Sequence, residues 1–190
     1  MHHVLRTENQ RGKQNIRLDS DQIREFEKLV RQQQRSLVAI AYRMLSNWED
    51  ARDGAQETFI RFWQSQLLRA NAPCAPALLA RILINLCIDR LRRQKRFRFF
   101  AWFSDPQAPS LPATNNPEHE LKNNELKNQI ESAIARLKPR QKAAFILRDV
   151  ESHSVQEIAS ILDCSENSVR VSLHLARKNL RKWLLPYLKE

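Results

Sequence analysis

Six of the ten residues from Asp89 to Arg98 are cationic, and Phe99, Phe100, Trp102 and Phe103 follow at once. That density exceeds an ordinary solvated helix face and fits contact with nucleic-acid phosphates. Flat rings beside such cations can also receive unstacked bases. Here the aromatics read first as closing a core or docking on a partner. A second group, Glu166, Asn167, Arg170 and His174, falls on the outward side of one helix. Arg pairs with guanine, Asn with adenine and Glu with cytosine. Arg177, Lys178, Arg181 and Lys182 continue that helix and suit phosphates, which position a duplex without reading it. A third group is acidic: Glu49, Asp50, Asp53 and Glu57, with Gln56 among them, in a chain of net charge 32 − 21 = +11. It is either a solvated face or a dock for a basic partner helix, and the residue types leave both open.

Nothing comparable points to catalysis. Gly12 and Gly54 are the only glycines, too few for a phosphate loop or a dinucleotide fingerprint. Tight hairpins also need residues that accept positive φ, which argues against β-rich folds. Cys74, Cys87 and Cys164 are odd in number, far apart and without zinc spacing, so they read as reduced, packed thiols. His119 stands alone in a proline-rich stretch. No catalytic residue, metal, cofactor or small-molecule substrate is therefore expected. No apolar run reaches the roughly 18 residues of a membrane span. The best, Leu78 to Ile88, is interrupted by Arg81 and Asn85. The N-terminus lacks a signal-peptide stretch, so a cytoplasmic protein is expected.

The elements that must carry these groups are helices. Residues 1–19 are polar and aperiodic and read as a loose arm. From Ser20, Phe26, Leu29, Val30, Leu37, Ile40, Ala41 and Met44 recur at three and four, one apolar stripe. Asn47 can cap a second helix, with Glu49 and Asp50 in its first turn and Trp48, Ala51, Ala55, Phe59 and Phe62 on one side. Pro73 and Pro76 mark a break. A third helix is expected from about Ala77 to Arg96, with Leu79, Ile82, Leu83, Leu86 and Leu91 inward. Pro106, Pro109, Pro112 and Pro117 make residues 101–120 a linker, half of the chain's eight prolines. Fully extended, Ser104 to Glu120 could reach roughly 55 Å, about 16 base pairs of duplex.

Residues 121–190 read as four helices. Leu121, Leu126, Ile130, Ala133, Ile134 and Leu137 mark the first, and Pro139 opens the second. Ser154-Val-Gln-Glu157 is a capping box. A short helix to Leu162, the turn Asp163-Cys164-Ser165 and a basic helix with Val169, Leu173 and Ala176 inward describe a helix-turn-helix. Its second helix would enter the major groove by its N-terminal end. The fold class is all-α: two small helical domains, 20–100 and 121–190, joined by the linker, the second carrying the helix-turn-helix.

In this order the motifs resemble a bacterial RNA polymerase sigma factor of the sigma-70 family, extracytoplasmic-function (ECF) group. The likeness covers about Ser20 to Leu184. Ala51-Arg-Asp53-Gly-Ala-Gln56-Glu57-Thr-Phe59 looks like the family's polymerase-binding helix. Leu79-Ala-Arg81-Ile82-Leu-Ile-Asn85-Leu-Cys-Ile-Asp89-Arg-Leu-Arg92-Arg93-Gln-Lys95-Arg96 looks like its promoter-opening helix. Leu137-Lys-Pro139-Arg140-Gln141-Lys-Ala-Ala-Phe145-Ile-Leu147-Arg148 precedes the helix-turn-helix as in the family.

The resemblance implies that Asp53, Gln56 and Glu57 contact core RNA polymerase. It implies that Arg81, Asn85, Arg92, Arg93, Lys95 and Arg96 hold the −10 element of promoter DNA, with the loop Gln66 to Cys74 near a captured base. It implies that Glu166, Asn167, Arg170, His174, Arg177 and Lys178 read the −35 element. A partner anti-sigma factor is a further family expectation. The chain departs from the family at Leu78, where many members carry Trp, at Gly54 inside the docking helix, and at Ile84, which replaces an Arg. The function expected is an alternative sigma factor, not an enzyme. Its rivals are a stand-alone helix-turn-helix regulator, which would dimerise on a palindrome, and a recombinase or nuclease, for which the first domain offers no nucleophile or metal set.

Overall fold

Asn47 ends one helix and starts the next. Its side chain accepts the Asp50 amide at 3.0 Å, and the preceding Ser46 takes the left-handed conformation (φ 56°) that closes the first helix. The computed structural model describes residues 20–65, 75–104 and 123–188, and every regular element in them is helical. These are α1 (Ser20–Leu45), α2 (Trp48–Gln64), α3 (Ala75–Ser104), α4 (Asn123–Ala135), α5 (Pro139–Phe145), α6 (Val155–Leu162) and α7 (Glu166–Leu184). A single wide turn of π geometry, Ile146–Val150, follows α5, and a 3₁₀ turn, Leu185–Leu188, follows α7. The N-terminal arm, the loop Gln66 to Cys74 and most of the expected linker lie outside the described residues.

The first three helices bury the expected stripe. Leu37, Ile40, Ala41 and Met44 of α1 meet Ala51, Ala55, Phe59 and Phe62 of α2 and Leu79 and Leu83 of α3. The Phe26 ring lies 4.6 Å from Trp63 and edge-on to Phe59. Trp48 departs from expectation: it is exposed and stacks on Tyr42 at 4.4 Å. As the first residue of α2 it sits at the bundle's corner, past the end of α1.

α3 departs further. It starts at Ala75 and continues to Ser104, eight residues beyond the expected Arg96. It stops where Asp105 precedes Pro106, a residue pair that resists helix. The aromatics Phe99 to Phe103 thus continue the helix. The side chains of Phe99, Phe100, Trp102 and Phe103 lie outside the described residues, and Phe97, before them, is exposed. Cys87 is buried as a packed thiol, and Ile84 and Ile88, not expected in the core, are buried with Leu79 and Leu83. The reason is that α3 packs on α1 and α2 with one face and on α5 and α6 with another.

The second half therefore does not stand apart. Ala143, Ala144, Ile146, Leu147, Ile158, Ile161, Leu162, Val169 and Leu173 join the same buried cluster as the first three helices. α6 is covered by α3 as well as α7, which buries Ile161 together with Ile158 and Leu162. A smaller cluster, Ala133, Leu137, Ala176 and Leu180, fastens α4 to α7. The Arg136 guanidinium lies 4.7 Å from the centre of the Trp183 ring there.

Among the described residues, one cation is inside. Lys142 of α5 is 2% exposed and electrostatically coupled to the buried Cys87 thiol of α3. Burial pushes the lysine down from 10.5 to about 8, and it pushes the thiol up from 9.0 to about 12 against the attraction of Arg90 and Lys142.

Two outcomes follow. Below about pH 8 the folded chain holds a buried ammonium ion, which costs up to about 3 kcal/mol. Between about pH 8 and 9 the unfolded chain keeps its lysine proton while the folded chain loses it, so stability rises with pH. Between about 9 and 10.5 the thiol, ionised only when unfolded, opposes and cancels that gain, and above 10.5 stability falls. Urea midpoints against pH should show this plateau, and Lys142→Met should remove the rise and stabilise the chain at pH 7 by about 1–3 kcal/mol. The second outcome concerns Gly54. A methyl group there would sit 3.8 Å from Leu83 Cδ1, an ordinary contact. Gly54→Ala should stabilise the chain by about 1 kcal/mol, read as a shift in the same midpoint.

Candidate nucleic-acid interface

α7, the second helix of the helix-turn-helix, is set by three local devices. The Ser154 hydroxyl accepts the Glu157 amide at 3.1 Å while the Glu157 carboxylate accepts the Ser154 amide at 2.7 Å, which closes the capping box of α6. These bonds to the ionised form hold the Glu157 carboxyl below its ordinary range. Asp163 takes the left-handed conformation (φ 51°) after α6, and the Cys164 amide returns to the Ala159 carbonyl at 3.0 Å. Ser165 then caps α7 by accepting the Ser168 amide at 3.2 Å. The turn is the expected Asp163-Cys164-Ser165.

The π turn supplies a device that no sequence signal announces. Its wide ladder, with the Glu151 amide on the Ile146 carbonyl at 3.0 Å, turns Arg148 and Asp149 outward. Asp149 then accepts both Nε (3.4 Å) and a terminal nitrogen (2.7 Å) of Arg177. Arg177, expected on phosphate, thus fastens α7 to the preceding turn. Arg148 donates to the His153 carbonyl at 2.8 Å and braces the entry to α6.

Of the −35 candidates, Glu166, Asn167, Arg170, His174, Arg177 and Lys178 are all exposed on α7. Glu166 and Arg170 form a 2.7 Å ion pair one turn apart, so each would have to change partner to read a base. Arg148, Arg170, His174, Arg177, Lys178, Arg181 and Lys182 rim a groove of about 850 Å³ floored by Val155, Leu173 and Leu185. Arg148 is the member that sequence reasoning missed. It precedes the helix-turn-helix in sequence, and the π turn brings it beside α7.

The −10 candidates lie along α3. Arg81, Asn85, Arg92 and Arg96 are spaced four, seven and four apart, one helical stripe. Asn85, Arg92, Arg93, Lys95 and Arg96 are exposed. Arg92 approaches Asp89 at 3.8 Å. Arg81 is the exception: its guanidinium lies 3.2 Å from Asp163, in the turn of the helix-turn-helix.

The polymerase-docking candidates Asp53, Gln56 and Glu57 share one face of α2. Asp53 and Gln56 are exposed and Glu57 is half-exposed and paired with Arg61 at 2.7 Å. Arg90 of α3 reaches Asp50 at 3.3 Å, Asp53 at 4.0 Å and the Asp50 carbonyl at 3.0 Å, and so clips this face to α3.

Residues 29–97, from α1 to α3, match the sequence model of sigma-70 region 2, and residues 127–180, from α4 to α7, match that of sigma-70 region 4. The chain is 30% identical over 156 residues to the ECF RNA polymerase sigma factor SigW of Bacillus subtilis, a match that spans 76% of this chain and 81% of SigW. It belongs to the ECF sigma factors of the sigma-70 family. This sigma factor is also 34% identical over 166 residues to SigE of Mycolicibacterium smegmatis, across 87% of its own length and 63% of that relative's. Its fold matches the sigma factor RpoE of Bartonella quintana, solved in complex with the anti-sigma factor NepR, with a TM-score of 0.60 at 21% identity over 85% of this chain and 97% of that one. The all-α class, the two helical units and the helix-turn-helix expected from the sequence are present in the sigma factor.

Separate roles for the exposed cations of α7 have separate readouts. Arg170→Ala should weaken binding to a duplex selected from a random pool by about 1–3 kcal/mol and binding to unselected DNA far less. Lys178→Ala should weaken both alike and lower the salt slope by about one. Kd values on both duplexes across a salt series give the comparison.

Proposed function

We propose that this chain is an alternative sigma factor that binds core RNA polymerase and directs it to promoters of its own sequence class. The observation that carries the reading is the order of three exposed faces on a chain of this family. An acidic face on α2, a cationic stripe on α3 and a capped reading helix with a cationic groove follow one another. Asp53, Gln56 and Glu57 dock on the polymerase. Asn85, Arg92, Arg93, Lys95 and Arg96, with Arg81 once released from Asp163, hold the −10 element and its unstacked strand. Unstacking costs a few kcal/mol per base, and phosphate contacts along α3 offset it.

Glu166, Asn167, Arg170 and His174 read the −35 element, and Lys178 with the neighbouring groove cations holds its phosphates. The chain contributes binding energy and no catalytic step of its own. No described helix is long and apolar enough to cross a membrane, and the site of action is the cytoplasm, with the polymerase. An anti-sigma factor is the expected protein antagonist.

Binding to core polymerase stripped of other sigma factors tests the reading. The wild-type chain should co-elute with core, and Asp53→Arg/Glu57→Arg should lose at least about tenfold in affinity, which corresponds to about 1.4 kcal/mol. Circular dichroism checks that the variant is still helical. Wild-type protein that fails to bind core would sink the sigma reading.

A further inference from the structure

α7 carries two apolar side chains that do not belong to its buried stripe. Val171 is 51% exposed and Leu175 is 39% exposed. The buried residues of the helix are Val169, Leu173, Ala176 and Leu180. Val171 stands two residues from both Val169 and Leu173, so at roughly 100° per residue it points nearly opposite to them. It therefore lies near the middle of the outward face. Asn167 precedes it by one turn and Leu175 follows it by one turn, so the three form a single row.

A lone exposed aliphatic residue needs no explanation. This row differs in its surroundings. Arg170 and His174 flank it, and Lys178 and Lys182 continue it toward the end of the helix. α7 has one acidic residue, Glu166, and that one is paired with Arg170 at 2.7 Å. The face thus fits a polyanion, and the row needs apolar groups on that polyanion. Phosphates would leave Val171 and Leu175 without a partner. Duplex DNA offers one fitting group in the major groove, the C5-methyl of thymine, and the other three bases present no methyl there.

The residue types suit such a contact. A β-branched side chain in a helix holds one rotamer, so the Val171 methyls are fixed before contact and lose little freedom on it. Val171 and Leu175 are about 6 Å apart along the axis, and base pairs are about 3.4 Å apart. The two side chains therefore match bases one or two steps apart.

We infer that Val171 and Leu175 are specificity-determining residues that select thymine at two positions of the −35 element by contact with its C5-methyl group. This rests on the proposed function, in which α7 reads that element. It adds an apolar readout to the hydrogen-bonding one of Asn167 and Arg170. The apolar readout draws on burial from water and does not require the Arg170–Glu166 pair to open.

In the test, the full chain bound to core polymerase selects duplexes from a random pool. The selected duplex is remade with deoxyuridine for thymine, one position at a time. Deoxyuridine keeps the O4 acceptor and the base pairing and lacks only the methyl group. Two positions, one or two steps apart, should each lose about fourfold in affinity, the factor for one buried methyl. Val171→Ala should weaken the parent duplex by a similar factor and abolish the deoxyuridine penalty at one position, and Leu175→Ala should do so at the other. Binding to unselected DNA and the salt slope should stay as in the wild type, because no phosphate contact is lost. Thermal unfolding checks that each variant keeps its fold.

Deoxyuridine tolerated at every position would overturn the inference alone. So would penalties that persist in both variants, or a selected element without thymine. Loss of core binding by Val171→Ala would place the row on the polymerase and overturn it too. A wild-type chain that binds core and enriches no sequence class would overturn the −35 assignment of α7, and this inference with it. Failure to bind core would overturn the sigma reading as a whole.

Discussion

The structure depends on burying one helix from two sides. α3 carries apolar residues around most of its circumference between Leu78 and Ile88. A helix of that kind must be enclosed, since one buried stripe would leave its other side in water. α1 and α2 cover the face with Leu83, and α5 and α6 cover the face with Ile84 and Ile88. Every other contact between the halves follows from this. The Arg81–Asp163 and Arg43–Glu151 pairs rim a contact that apolar burial establishes, and exposed pairs of that kind contribute at most about 1 kcal/mol each.

A second constraint is the scarcity of glycine. Helices commonly end on a left-handed residue, for which glycine costs least. With two glycines in the chain, the left-handed positions among the described residues fall to Ser46, Ser152 and Asp163. Ser46 makes the corner between α1 and α2. Asp163 makes the corner of the helix-turn-helix and offers its carboxylate to Arg81, so one residue serves both the turn and the contact between halves. Ser152 ends the π turn, whose extra width brings Asp149 to Arg177 and Arg148 to the basic groove.

Local features were legible because their causes are local. Asn47, the Ser154–Glu157 box and Ser165 each cap the helix that their spacing predicts, and Val169, Leu173 and Ala176 are buried as the 3.6-residue period requires. Features with distant causes were not. Ile84 stands where the family resemblance places an arginine, and it is fully buried. The same Leu78–Ile88 run is the most apolar stretch of the chain, interrupted by Arg81 and Asn85. Its continuity was the available sign of two-sided burial, and periodicity alone does not assign a second face. The π turn has no residue signature, so the placement of Arg148 and the tethering of Arg177 could not be read in advance. Arg140 to Arg148 reads in sequence as helix with a scattered basic side, and nothing in it distinguishes Lys142, which is buried, from Arg148, which is exposed.

Each exposed face in the free chain is already partly neutralised by its own residues. Arg90 holds Asp50 and Asp53, Arg61 holds Glu57, Glu166 holds Arg170, Asp149 holds Arg177 and Asp163 holds Arg81. A partner therefore gains only the difference between the new pair and the old one. For a random anion or cation that difference is small, because exposed pairs are weak and interchangeable. For a partner that presents a matched bidentate group, such as a guanine edge to Arg170, the difference is larger and depends on geometry. With a net charge of +11, such a chain would otherwise bind any nucleic acid through long-range attraction. Under the proposed function, internal pairing lowers that background at the positions assigned to base reading. Among the described residues, Lys178, Arg181 and Lys182 on α7 and Arg93, Lys95 and Arg96 on α3 are exposed, and under the proposed function they are left for phosphates, where discrimination is not required.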